Sequence, residues 1–165
     1  MRRCFGDRAT FAVEVGEIQP PTLRVVDVWV AGRRLTVDDN SAFVPSFSHA
    51  MRSSAAQVRR RDIRPCPFPG HSPEETFRLL QADETGFAEH FWFMRWGETL
   101  DGVSTYAYLE HDLVIVFAFW RASHPFPEDL GEVFAARIPP DEFALTVETA
   151  VDLLDSGIAA GDPGR

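Results

Sequence analysis

The chain has 165 residues, of which 45% are hydrophobic and 25% charged, and this composition suits one folded domain rather than a disordered chain. No apolar run approaches the roughly 20 residues of a membrane-spanning helix, and Gly6-Asp7-Arg8 stands where the apolar part of a signal peptide would begin. The formal net charge of −9 opposes binding to DNA or RNA, which are anions themselves. We therefore expect a cytoplasmic protein that binds neither membrane nor nucleic acid.

The charge is distributed unevenly along the chain. Residues 1–65 contain eleven Arg against seven acids, whereas residues 66–165 contain five Arg against eighteen acids. The second part therefore forms a strongly acidic surface, which favours a basic partner.

The first forty residues predict an antiparallel meander. Apolar and polar residues alternate over 11–15, which indicates a half-buried strand, and a β-branched run follows over 23–30. The turn at residues 31–34 leads to a short third strand predicted over 35–37.

Two helices are predicted in the middle of the chain. Apolar residues recur at helical spacing over 46–61, and the other face of that helix carries Arg52, Arg59, Arg60 and Arg61. This basic face is typical of a solvated helix, although it could also contact an acidic partner or RNA. After a proline-rich loop, Ser72-Pro73-Glu74-Glu75 has the form of a helix start and predicts a helix over 73–82.

The main sheet is predicted over residues 87–138. Its strands are an aromatic one over 87–96, an alternating one over 103–110, an apolar one over 113–120 and a last one over 130–138. Because residues 113–120 are apolar throughout, we expect that strand to be central and buried on both faces.

The clearest element is the last helix, over 140–155. Phe143, Val147, Ala150, Val151 and Leu154 form one apolar stripe, and Gly157 is placed to end the helix. We therefore predict an α+β fold over residues 1–160, with an antiparallel sheet of about six or seven strands, about three helices packed on it and a frayed tail at 161–165.

The sequence contains no recognised catalytic motif. Cys4 and Cys66 lack the spacing of a metal site, and both are interpreted as structural or incidental thiols. The strongest metal candidates are His90 and His111 with the neighbouring carboxylates, but adjacent residues on a strand point to opposite faces, so each pair would supply one ligand. We expect no catalytic residue, metal or cofactor.

The aromatic segment is the candidate interaction surface. If one of its faces is exposed, its tryptophans would be natural binding hot spots inside an acidic rim, which speeds association with a basic protein. The predicted partner-binding residues are Glu89, Trp92, Trp96, Glu98, Asp101, Glu110 and Asp112.

Three short segments resemble a family of immunity proteins from bacterial polymorphic toxin systems, the family numbered forty-two. They are Phe5-Gly6-Asp7 leading into the strand at 11–14, the strand end and glycine turn at 29–32, and residues 137–143 at the start of the last helix. The resemblance implies a small intracellular protein that binds and neutralises a cognate toxin domain. It supplies no catalytic residues and no contact positions.

Three functions remain open from the sequence. The first is an immunity protein that occludes a toxin domain, itself expected to be basic, by direct binding. The second is a small metal-dependent hydrolase using His90, His111 and nearby carboxylates. The third is a non-catalytic adaptor that binds another partner.

Overall fold

The computed structural model describes residues 2–159, with the side chains of residues 2–156. The frayed tail predicted at 161–165 lies outside the described residues. The described residues form an α+β structure, with three α-helices and eight strands in two antiparallel sheets, so the predicted fold class is confirmed.

The first sheet contains the five N-terminal strands. They are β1 Arg3–Asp7, β2 Phe11–Gln19, β3 Leu23–Val30, β4 Arg33–Arg34 and β5 Ser41–Phe43. β2 lies between β1 and β3, and β3 pairs with both β4 and β5. The strand predicted over 35–37 is wrong. Pairing stops at Arg34, after which Leu35 donates its N–H to the Val28 carbonyl (2.8 Å) and turns its side chain into the core.

The second sheet contains β6 Val103–Leu109, β7 Leu113–Phe119 and β8 Phe134–Ile138, with β7 in the middle. The central position predicted for residues 113–120 is thus confirmed for β7. The strands are divided between two sheets, however, instead of forming the single larger sheet that we expected. An apolar pattern specifies which faces of a strand are buried but not which strand lies beside it, so the division was not visible in the sequence.

The three helices are α1 Val44–Arg59, α2 Pro73–Ala82 and α3 Pro140–Ala159. The Ser72 hydroxyl accepts the Glu75 N–H (3.1 Å), so α2 begins with the predicted N-cap. α3 continues through Gly157 to Ala159, so the predicted helix end at this glycine is wrong.

The aromatic strand predicted over 87–96 is also wrong. Phe87–Phe91 form a 3₁₀ helix, preceded by Gly86 in the left-handed conformation. The Asp83 carboxylate accepts the Ala88 N–H (3.1 Å) and the Thr85 hydroxyl (2.6 Å), and these bonds lower the pKa of Asp83. This local turn outcompetes the strand preference of the aromatic residues.

Two hydrophobic cores meet on opposite faces of β7. Leu113, Ile115 and Phe117 pack into the larger core, which also contains the inner face of the first sheet, α1 and α3. Val114 and Val116 pack into a smaller core with α2 and the 3₁₀ helix. All five side chains are fully buried, as the apolar run predicted.

The basic face of α1 binds the acidic face of α3. Arg52 contacts Asp152 (3.3 Å) and Asp155 (2.6 Å), and Arg59 is bonded to Glu148. Arg61, just beyond α1, contacts Asp141 (2.9 Å), and this pairing lowers the pKa of the carboxyl group. Three of the four arginines of the predicted basic face are therefore paired within the molecule.

A buried polar cluster lies on the outer face of the first sheet. Asp27 is only 1% exposed and accepts hydrogen bonds from the Thr36 hydroxyl (2.7 Å), Arg2 (2.9 Å) and the Asn40 amide (3.3 Å). Its cross-strand neighbour Glu14 is equally buried and is bonded to Arg8. The loop that follows β4 is thus tied to the sheet by charge-assisted hydrogen bonds.

We expect Asp27→Ala to lower the free energy of unfolding by about 2 to 3 kcal/mol, because the substitution leaves the buried Thr36 hydroxyl and its neighbours without their acceptor. Urea denaturation measures this change. Glu17→Ala, at an exposed position of β2, is the matched control and should change the free energy of unfolding by less than about 0.5 kcal/mol. Equal effects of the two substitutions would contradict the assignment.

The buried Tyr108 leads us to expect that the protein loses stability at alkaline pH. Burial, with a smaller contribution from Cys66, raises the pKa of this fully buried phenol to about 12. Above pH 10 the unfolded chain ionises this tyrosine while the folded chain keeps Tyr108 neutral. The contribution of Tyr108 to stability is therefore intact below about pH 10 and is lost as the pH rises towards 12.

Denaturation midpoints measured between pH 9 and 12 should therefore decrease in the native protein and decrease less in Tyr108→Phe. The loss that remains in the variant should come from Tyr106 and Cys4, whose pKa values are also raised by burial. Identical pH profiles for the two proteins would exclude Tyr108 as the cause.

Candidate functional site

The outer face of the second sheet is only partly covered. α2 packs against Tyr106, whose ring lies 5.5 Å from that of Phe77 and whose hydroxyl accepts the Gln81 amide (3.0 Å). Further along the same face, Ser104 and Ala118 are half-buried and Trp120 is exposed. The end of the sheet beyond α2 is therefore open.

Trp120 is exposed but held in place. Its side chain is 60% exposed, while its indole N–H donates to the Asp101 carbonyl (2.8 Å) and the Arg121 guanidinium lies 5.3 Å from its ring. A large aromatic side chain that is already fixed loses little conformational entropy when a partner binds it.

Trp92 is the second exposed tryptophan of this face. It pairs with Tyr106 through an isolated antiparallel bridge and is 47% exposed. The Arg95 guanidinium lies 3.8 Å from its ring centroid, which is a close cation–π contact. Between them, Met94 has a φ of +56° and buries its side chain, so the chain turns there and leaves Trp92 and Arg95 outside.

Shallow depressions connect these side chains. One, of about 310 Å³, is lined by Arg95, Asp101, Ser104 and Trp120, and another, of about 420 Å³, lies between Trp120 and α2. A third depression joins Trp92 and Arg95 to α1. We call this region the Trp92–Trp120 surface, and it consists of Trp92, Arg95, Asp101, Ser104, Ala118 and Trp120.

Trp96 does not belong to the surface for which it was predicted. Its side chain is 3% exposed, packs edge-on against Phe47 at 5.9 Å and donates its indole N–H to the buried Ser54 hydroxyl (2.9 Å). Because the backbone turns at Met94, strand alternation no longer places Trp96 on the same side as Trp92. Its expected contact role is therefore corrected to a core role.

The predicted acids do not form one edge. Glu98 and Asp101 precede β6, whereas Glu110 and Asp112 lie in the turn after it, and seven strand residues separate the two groups by about 20 Å. Glu89 lies in the 3₁₀ helix. Of the predicted set, the structure brings Trp92 and Asp101 into one region.

Most of the predicted acids lack an intramolecular partner. Glu110 forms an ion pair with Arg137 (2.7 Å). In contrast, Glu89, Glu98, Asp101 and Asp112 form none with the described residues. Their negative charge therefore remains available to a partner.

Sequence analysis missed Trp120 and Arg95. Trp120 is the last residue of the apolar run at 113–120, which predicts a buried strand, although Arg121 and Ala122-Ser123 after it signal the end of the sheet. Arg95 is a lone cation within an aromatic segment, which is a signal for stacking on a neighbouring ring.

His90 and His111 are both exposed, and His90 lies 3.4 Å from the Arg64 guanidinium. Within the described part of the chain, no group of three His, Cys, Asp or Glu side chains is placed to hold a metal ion. The hydrolase alternative therefore lacks a described set of ligands.

The segments that carry the family resemblance meet in the larger core. Phe11 and Phe143 lie with their rings 4.6 Å apart. Gly6, at φ +87°, lies so close to β2 and α3 that an added Cβ would be 2.3 Å from the Phe11 carbonyl oxygen and 3.0 Å from Thr146. These residues build the fold and lie outside the Trp92–Trp120 surface.

No protein-family model, curated protein or solved structure matches this chain. Among the described residues, no helix has both the length and the apolar character to cross a bilayer. The resemblance to immunity proteins stays a prediction that rests on the quoted segments alone.

Trp120→Ala should lower the free energy of unfolding by about 1 to 2 kcal/mol, because more than half of this side chain is already in water. Phe117→Ala, three residues earlier in β7 and fully buried, should cost about 3 to 5 kcal/mol. Urea denaturation of both variants tests whether Trp120 contributes mainly to the surface. A larger cost for Trp120 would make it a structural residue.

Proposed function

We propose that this protein is an immunity protein that binds a cognate toxin domain and neutralises it by covering its surface. The observation that carries the proposal is two exposed tryptophans whose rings are held in place. Trp120 lies at the open end of the second sheet, Trp92 lies beside β6, and Arg95 lines the depressions next to both. Tryptophan and arginine are the residues most enriched in binding hot spots, and this surface contains both.

Charge supports a basic partner. Residues 84–112 contain six acids and one arginine, which is a net charge of −5. Glu148, Asp152 and Asp155 of α3, by comparison, form ion pairs with arginines of α1. Uncompensated carboxylates around an aromatic centre accelerate encounter with a positively charged protein and disfavour acidic ones.

Occlusion is the mode of action that fits these residues. The surface has shallow depressions with exposed aromatic rings, which suits contact with another protein. Its acids and tryptophans are chemically suited to binding. Among the described side chains of the surface, no nucleophile is hydrogen-bonded to a base. Neutralisation would then follow from blocking the toxin's active cleft, which in nucleases is basic because it binds nucleic acid.

The first test is co-expression with the product of the neighbouring upstream gene, scoring cell survival and co-purification. Rescue together with a tight complex would support immunity. A complex without any toxicity to neutralise would favour the adaptor alternative. Failure to form a complex, or survival of cells that lack this protein, would exclude the neighbouring product as its toxin.

The second test places the interface. Trp92→Ala and Trp120→Ala should each weaken the complex about 30-fold or more, since hot-spot residues contribute about 2 kcal/mol or more each. Leu145→Ala is the matched control because Leu145 is also 60% exposed but lies on α3. Calorimetric titration measures the affinities. Equal effects at all three positions would show that the Trp92–Trp120 surface is not the toxin-binding interface.

Charge reversal tests the acidic rim separately. Glu98→Arg combined with Asp101→Arg should slow association about tenfold at low salt, and the difference should disappear at high salt, where charges are screened. The Asp101 backbone carbonyl that holds Trp120 remains in the variant. Glu17→Arg, on β2, is the control. An unchanged association rate would contradict this role of the rim.

A further inference from the structure

A further pocket, which we call the Trp29 pocket, lies on a different part of the molecule from the Trp92–Trp120 surface. The β3–β4 hairpin and the loop that follows β7 enclose about 370 Å³. Its apolar walls are the rings of Trp29, Phe119 and Phe126. This volume is at the lower end of the range for small-molecule pockets, and three aromatic walls favour a flat, apolar ring as the occupant.

Trp29 contributes part of its ring to this pocket. Its indole Nε1 is buried and has no acceptor among the residues that the structure describes. One face of the ring is covered by Arg8, whose guanidinium lies 4.4 Å from the centroid. An indole N–H can only donate, and a buried donor without an acceptor is unfavourable. Because this nitrogen is closed to solvent, a ligand in the pocket contacts the uncovered part of the Trp29 ring and not its N–H.

The charged residues at the rim differ in how far they are already occupied. Arg33 contacts Asp129 (3.3 Å), and the Arg33 guanidinium also covers the Phe134 ring at 4.9 Å. The same Asp129 carboxylate lies 3.8 Å from the buried His124. Arg34, the next residue, forms no ion pair within the described part of the chain. Its positive charge is therefore available to an anion.

We propose that this pocket binds a small aromatic carboxylate. The aromatic ring of the ligand lies between Trp29, Phe119 and Phe126, and its carboxylate accepts hydrogen bonds from the Arg34 guanidinium. Glu128 also lines the rim, but it is exposed, where solvent screens its repulsion of the ligand. The site is independent of the proposed toxin contact, because it uses none of the residues of the Trp92–Trp120 surface.

The test is a titration with phenylacetate followed through the indole N–H signals in ¹H–¹⁵N correlation spectra. The chain has four tryptophans, so four indole signals are expected, and Trp29→Phe identifies the one from Trp29. We expect that signal to move with saturation below about 10 mM ligand, while the signals of Trp92 and Trp120 stay in place. Absence of a saturable shift at Trp29 would overturn the proposal.

Two comparisons separate the ring from the charge. Phenylacetamide, the neutral analogue, should bind about tenfold more weakly than phenylacetate. Arg34→Gln should lower the affinity for phenylacetate by a similar factor. Arg60→Gln removes the same charge from an exposed position at the end of α1 and should leave the affinity unchanged. Equal binding of acid and amide, or equal effects of the two arginine substitutions, would contradict recognition of the carboxylate.

A further variant tests the aromatic walls without disturbing the fold. Phe126 is 48% exposed and lies on a loop, so Phe126→Ala should remain folded and lose affinity about tenfold or more. Binding that is unaffected by this substitution would place the ligand elsewhere. Because toxin binding is measured at the Trp92–Trp120 surface, either proposal can fail while the other stands.

Discussion

Burial of β7 on both faces is the constraint on which the other layers depend. A strand whose side chains are apolar in both directions needs cover on two sides. The first sheet, α1 and α3 supply one side, and α2 with the 3₁₀ helix supplies the other. α2 has ten residues and is about 15 Å long, which is less than the roughly 20 Å of the strands. The incomplete cover is what leaves Trp120 in water, and the open end of the sheet becomes the candidate interaction surface.

The C-terminal end of β7 serves both candidate sites. Phe119 points to the larger core side, where it stacks on His124 at 4.1 Å and forms a wall of the Trp29 pocket. Trp120, one residue later, points to the opposite side and lines a depression with Arg95, the residue that stacks on Trp92. Because neighbouring residues of a strand face opposite ways, two adjacent aromatic side chains contribute to two separate surfaces.

The distribution of charge follows from helix packing. Antiparallel contact between α1 and α3 places three arginines against four acids, so a segment that is strongly basic in the sequence is neutralised in the fold. The net charge of −9 therefore comes from other parts of the chain, and much of it lies on residues 84–112. The sequence correctly indicated an acidic second part, but the partners of the arginines lie about 80 to 100 residues away in the chain and could not be read from local pattern.

The sequence by itself determined the elements whose period or cap is local. The stripe of α3, the Ser72 cap of α2 and the apolar run of β7 specify their own burial, whatever their neighbours are. Tertiary structure decided what depends on long-range pairing: the division of the strands into two sheets, the burial of Trp96 and the exposure of Trp120. The physical reason is that amphipathic pattern shows which side of a segment avoids water, whereas the length and position of the covering element decide which apolar side chains stay exposed.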